Sequence, residues 1–125
     1  MNEEELQNLA KEGYILFQQL QGLDDAMAKA GGNYSGYRAF ADHYNAILEK
    51  AKAILKADTT MLSAIKRLSA YDPSDEFDRE EPSRLEYQSE QIKADIPILK
   101  ATLRSFFDFY FPPKEKEKIG FHLSR

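Results

Sequence analysis

The acidic stretch over residues 71–81 carries oxygen donors of the kind that bind calcium. Its acidic side chains are Asp72, Asp75, Glu76, Asp78, Glu80 and Glu81. A calcium-binding EF-hand loop needs donors at alternating positions, a central glycine and a closing glutamate. Ser74 and Phe77 occupy positions that this spacing reserves for other residues. We therefore expect a solvated loop that leads into a helix, and no metal site.

Other catalytic and metal-binding patterns are also missing from the sequence. The chain has no cysteine, which excludes disulfides, thiolate metal sites and thiol nucleophiles. Carboxylate-bridged iron or manganese bundles need a Glu-x-x-His pair, and neither His43 nor His122 has a glutamate three residues before it. No Gly-rich phosphate loop or Gly-x-Ser-x-Gly turn occurs. The sequence predicts no cofactor and favours a protein that is not an enzyme.

One pair of residues supports an alternative in which the chain acts on RNA. Arg38 and His43 lie five positions apart in the segment Arg-Ala-Phe-Ala-Asp-His. This spacing resembles the Arg and His pair of HEPN-domain ribonucleases, which are small helical bundles that usually form a composite site across a dimer. The resemblance implies that His43 is the general acid or base and that Arg38 stabilises phosphate charge. The alternative therefore covers a HEPN-like ribonuclease or a relative that kept the fold and lost the activity. Otherwise, the two are exposed polar residues that flank Phe40 and Tyr44.

An aromatic cluster near the end of the last predicted helix gives the leading functional hypothesis. Five of the six positions from 106 to 111 are aromatic, namely Phe106, Phe107, Phe109, Tyr110 and Phe111. With the apolar residues before them, they cover an arc of about 200° around the helix. One neighbouring helix cannot cover such an arc, so either the helix is central or part of this surface contacts another chain. We therefore predict a regulatory or protein-interaction module that forms a homodimer or binds a protein partner here.

Composition and charge predict the number of domains, the class of partner and the location of such a module. The chain has 125 residues, 42% of them hydrophobic, which suits one folded domain. Its net charge of −4 makes nucleic-acid binding unlikely unless the ribonuclease alternative holds. The sequence contains no long apolar run, and its first residues are acidic. We expect a cytoplasmic protein with no membrane partner.

Two long helices are predicted in the first half of the chain. Asn2 is a suitable N-cap, and leucines then recur at three- and four-residue spacing until Gly31. A second amphipathic segment covers residues 37–55. Because the connection is short, these two helices should be antiparallel neighbours.

The second half predicts one short helix, one long helix and a tail. Asp58 can cap a short helix that ends near Ser69, and Ser83 with Glu86 forms a capping-box pattern for the fourth. Pro97 predicts a kink or a break within this last helix, which ends before Pro112. The expected fold is all-α, an up-down antiparallel bundle of three long helices and one short helix. The bundle covers residues 1–113, and residues 114–125 form a charged tail or linker, or an arm that packs Ile119, Phe121 and Leu123 on the bundle.

Overall fold

The computed structural model describes residues 2–31, 36–73 and 82–110, and these residues form four helices and no strand. The helices are α1 (Glu3–Ala30), α2 (Tyr37–Leu55), α3 (Thr59–Ala64) and α4 (Pro82–Tyr110). The predicted all-α bundle of three long helices and one short helix is therefore confirmed. None of the described helices is long and apolar enough to cross a membrane.

Side-chain caps and a glycine define the helix ends as the sequence predicts. The Asn2 side chain accepts a hydrogen bond from the Glu5 N–H at 2.8 Å, which begins α1. The backbone of Gly31 adopts a φ of 58° after the last residue of α1, a region that favours glycine. The Asp58 carboxylate accepts from the N–H groups of Thr60 and Met61, both at 3.1 Å, and begins α3.

Three details of the second half differ from the prediction. Helix α3 ends at Ala64, well before Ser69, although the apolar residues that follow it remain buried. Helix α4 begins at Pro82, so Ser83 lies inside its first turn and is not the N-cap. A proline suits that first turn because its missing N–H would have no helical partner there. Helix α4 also continues through Pro97, which is exposed to solvent, so the predicted break does not occur. The other form of that prediction, a kink at Pro97, stays a prediction.

Helix α4 is the central element, and it runs antiparallel to α1. It packs most extensively against α1 and also contacts α2 and α3. Gly13 of α1 lies beside Phe106, whereas Gln21, two turns later, bonds to Lys100. Of the two explanations for the wide aromatic arc, the structure therefore provides a helix with neighbours on more than one side.

Helices α2 and α4 run in the same direction, because residues 65–73 carry the chain back along α2. We call residues 65–73 the return segment. Lys52 donates to the Leu68 carbonyl at 2.7 Å, and Tyr37, four turns earlier on α2, donates to the Asp72 carbonyl at 2.6 Å. Helix α4 then starts at the end of the bundle where α2 starts, and α1 is antiparallel to both.

A continuous apolar core joins these elements. Its largest fully buried side chains come from all three long helices and from the return segment. They are Tyr37, Tyr44, Phe106, Phe107, Leu20, Leu23, Met27, Ile47, Leu55, Ile65 and Ile92.

Candidate interaction surface

The aromatic cluster at the end of α4 divides into a buried part and an exposed part. Phe106 and Phe107 are completely buried, Tyr110 is half-buried, and the Phe109 side chain is 73% exposed. Phe111 lies outside the described residues. Among the described residues of the cluster, the aromatic surface that remains available therefore consists of Phe109 and the accessible part of Tyr110.

The two buried rings are held by α1. The Phe107 ring makes edge contacts with Tyr14 at 5.5 Å and Phe17 at 5.6 Å between ring centres. Phe106 lies against Gly13, where a Cβ atom would be 3.6 Å from the nearest atom of the phenyl ring. These contacts explain why Phe106 and Phe107 belong to the core of the single chain.

Tyr110 is fixed in place by rings on one side and by a carboxylate on the other. Its ring centre lies 4.9 Å from that of Phe106 and 4.8 Å from that of Phe109. Its hydroxyl donates to Asp58 at 2.7 Å. This hydrogen bond, with the backbone N–H groups at the start of α3, lowers the pKa of the Asp58 carboxyl. Phe109 is thus an exposed ring that packs beside Tyr110, and the contacts of Tyr110 hold that neighbouring ring in place.

Arg38 and His43 are both exposed on α2. Five residues of an α-helix correspond to about 140° of rotation, so the two side chains leave α2 on different sides. Helix geometry alone therefore does not place the two side chains on one face of α2, and a shared site across a dimer stays a prediction.

A cluster of tyrosines around the return segment was not predicted from the sequence. The Asn45 side chain pairs with both backbone groups of Tyr71, at 2.7 and 2.8 Å. The Tyr71 hydroxyl donates to Asp95 of α4, and its ring contacts that of Tyr44 edge-on at 5.6 Å. The seven-residue spacing of Tyr37 and Tyr44 places both on one face of α2, but no periodic pattern links either residue to Asp95.

Burial changes the acid–base behaviour of this cluster. It raises the pKa of the Tyr44 hydroxyl above its ordinary value, and the nearby Asp95 carboxylate adds to the effect. Burial also raises the pKa of Tyr71, as does its hydrogen bond to Asp95. Within the part of the chain that the structure describes, the hydroxyls of Tyr44 and Ser89 are buried without a hydrogen-bond partner. The raised pKa values favour the neutral form of both tyrosines, whose hydrogen bonds and ring contacts hold the return segment between α2 and α4.

Two concave surfaces lie outside the core. A polar pocket of about 490 Å³ borders the tyrosine cluster and includes Arg67, Tyr71, Gln91 and Asp95 in its lining. An apolar groove of about 420 Å³ lies between α1 and α2. We call it the α1–α2 groove, and it is lined by Leu9, Glu12, Ile15, Leu16, Gln19, Lys50, Ala53 and Ile54.

Most of the acidic loop, residues 74–81, lies outside the described part of the chain, and Asp72 is exposed. Among residues 2–31, 36–73 and 82–110, no group of three or more His, Cys, Asp or Glu side chains is arranged to hold a metal ion.

Comparisons with known proteins do not identify a relative. No protein-family model matches the chain, and the searches of curated proteins and of solved structures found no match either. Functional proposals therefore depend on the geometry of this chain alone.

Proposed function

We propose that the chain is a non-enzymatic helical module that works by protein contact and self-associates through the exposed end of α4. The observation that carries this proposal is Phe109, a phenylalanine that is 73% exposed. Phenylalanine and tyrosine are both enriched in the cores of protein interfaces, and tyrosine is among the residues that most often dominate binding energy there. The cytoplasmic location and the boundary between bundle and tail at residue 113 remain predictions.

The surroundings of Phe109 suit a small interface. Tyr110 provides a fixed ring beside it, so little side-chain entropy is lost when a partner binds. Arg104 and Asp108, an ion pair at 3.8 Å, supply polar groups near the apolar centre. In a two-fold dimer the same patch serves both copies, so that Phe109 of one copy contacts the equivalent region of the second.

The area of the patch predicts how tightly such a dimer holds together. One buried aromatic side chain contributes roughly 150–250 Å², whereas stable interfaces bury roughly 1,200 Å² or more. Phe109 and Tyr110 alone therefore support a weak association, which depends strongly on protein concentration. We expect dissociation constants in the micromolar to millimolar range.

Sedimentation velocity over a wide concentration range tests this proposal. The natural chain should shift from monomer to dimer as its concentration rises, and Phe109→Ser should remain a monomer at concentrations where the natural chain is dimeric. Tyr87→Ser is the matched control, because Tyr87 is 64% exposed near the opposite end of α4. A natural chain that stays monomeric throughout, or equal effects of the two substitutions, would refute self-association through Phe109.

The HEPN-like ribonuclease is the second candidate. The observation in its favour is that Arg38 and His43 are both exposed and therefore accessible to a substrate. Because they leave α2 on different sides, this candidate requires a dimer that pairs Arg38 of one copy with His43 of the other. It predicts that His43→Ala abolishes RNA cleavage while Asp42→Ala, an exposed neighbour, does not. Cleavage that is unaffected by His43→Ala would exclude it, and a natural chain that does not cleave RNA would exclude the active ribonuclease and leave only an inactive relative.

A further inference from the structure

The α1–α2 groove lies on the side of the bundle that faces away from α4. The residues of α1 that contact α4 and those that line the groove are centred about 150° apart around the helix. Ile15, which lines the groove, is 51% exposed, an unusual level for an isoleucine beside a core. In the described part of the chain, α4 therefore covers one side of the α1–α2 pair and leaves the other side open.

The groove combines an apolar floor with polar edges. Ile15, Leu16 and Ile54 contribute apolar surface, whereas Glu12 and Lys50 bring opposite charges. A concave apolar surface of this kind suits a short segment with a few apolar side chains on one side.

We propose that residues 119–123 of this chain, Ile-Gly-Phe-His-Leu, dock in the α1–α2 groove as an extended segment. In an extended chain, alternate side chains point to the same side. Ile119, Phe121 and Leu123 would then face the groove together, and Gly120 and His122 would face solvent. The preceding residues 114–118 alternate lysine and glutamate and serve as a polar connection.

The position of the end of α4 brings this segment within reach. The Tyr110 hydroxyl bonds to Asp58, which follows Ile54 of the groove by only four residues. Ile119 follows Phe111 by eight positions in the sequence, a length of chain that spans up to about 26 Å when extended. The groove runs along about ten residues of α1, which is about 15 Å. The tail is thus long enough to enter the groove from the end at which α4 finishes.

Disulfide trapping in the full chain tests this docking. The natural chain has no cysteine, so only the introduced pair can form a disulfide. The test pair is Gln19→Cys in the groove with Leu123→Cys, a tail position that would face the groove. The control pair combines Leu123→Cys with Glu90→Cys, an exposed position on α4 outside the groove. Under mild oxidation at low protein concentration, the test pair should form an intramolecular disulfide about tenfold or more faster than the control pair.

A third substitution identifies the side chain that holds the segment. Adding Phe121→Ser to the test pair should slow trapping to the rate of the control pair, while circular dichroism shows an unchanged bundle. Equal trapping by both pairs, or insensitivity to Phe121→Ser, would overturn the proposal. Covalent dimers in place of internal disulfides would also overturn it, because the tail of a second copy would then occupy the groove. None of these results depends on self-association through Phe109.

Discussion

The two halves of α4 on either side of Pro97 share the apolar core but differ in the contacts that accompany it. In the first half, which we call the polar half, Ile92 and Ile96 are buried, Gln88 contacts the Tyr37 hydroxyl and Asp95 accepts from Tyr71. In the second half, which we call the ring half, Phe106 and Phe107 are completely buried against α1. Hydrogen bonds contribute about 1 kcal/mol each after competition with water, whereas a buried phenylalanine contributes several times as much. Each buried phenylalanine of the ring half therefore contributes more to stability than a hydrogen bond of the polar half, and those hydrogen bonds fix the placement of the return segment.

The largest expected effect comes from emptying the ring half. Phe107→Ala removes a completely buried ring and both of its edge contacts with α1, so we expect a loss of about 3–5 kcal/mol in the free energy of unfolding. Urea denaturation followed by circular dichroism measures this loss. Phe109→Ala is the matched control, because the same change at a ring that is 73% exposed should cost less than about 1 kcal/mol. Similar losses for the two variants would contradict the division of the aromatic cluster into a buried part and an exposed part.

A smaller effect is expected from the polar half. Asn45→Ala removes both hydrogen bonds to the Tyr71 backbone and leaves a half-buried N–H and carbonyl without their partner. We expect a loss of about 1–3 kcal/mol. Amide hydrogen exchange of the return segment should accelerate more than that of α1. Uniform acceleration across the chain would instead show that Asn45 acts on global stability alone.

High pH should weaken the polar half selectively. Burial holds the pKa values of Tyr44 and Tyr71 above the ordinary value of 10.0, so the folded chain retains protons that unfolded tyrosine loses. The stability supplied by the neutral hydroxyls is complete below pH 10 and decreases as the pH rises beyond it, by up to about 1.4 kcal/mol per pH unit for each group. Denaturation at several pH values above 10 measures this slope, and Tyr71→Phe should make it shallower. A slope that Tyr71→Phe leaves unchanged would assign the effect to other groups.

The smallest predicted effect is a gain in stability from Gly13 of α1, which packs against the ring half of α4. Gly13 is buried within α1, and an added Cβ would meet Phe106 at 3.6 Å and Leu103 at 4.0 Å, which are ordinary contacts. Gly13→Ala should therefore stabilise the chain by about 0.5–1 kcal/mol through its better helix propensity. Gly22→Ala is the control, because Gly22 is an exposed helical position and the new Cβ would have open space around it. Its effect on stability therefore measures helix propensity alone. A melting temperature that falls for Gly13→Ala would mean that Phe106 needs the close approach of a glycine.

Local signals in the sequence predicted the helices and their caps, because these depend on near neighbours. Asn2 and Asp58 cap their helices as expected, and the periodic apolar positions are buried. The direction of α4 relative to α2 was not specified, since the return segment has no periodic pattern. Neighbouring residues in the sequence could not predict the exposure of Phe109 either, because that exposure depends on which part of the aromatic arc α1 covers.

The same limit applies to the candidate sites. The spacing of Arg38 and His43 fixes their divergence on one helix, so their convergence depends wholly on a second copy. The Tyr71 and Asp95 contact joins residues 24 positions apart on different elements. Only the packing of the return segment between α2 and α4 brings such residues together.

The sequence separation of the helix contacts predicts the order in which the helices come together during folding. Helices α1 and α2 are separated only by residues 31–36, so their pairing closes a short loop at low entropic cost. Contacts between α1 and α4, such as that of Gln21 with Lys100, join residues 79 positions apart. We expect the α1–α2 hairpin to form before the rate-limiting step and α4 to dock after it. Phe107→Ala should then mainly accelerate unfolding, whereas Ile47→Ala in the hairpin should mainly slow refolding in stopped-flow measurements.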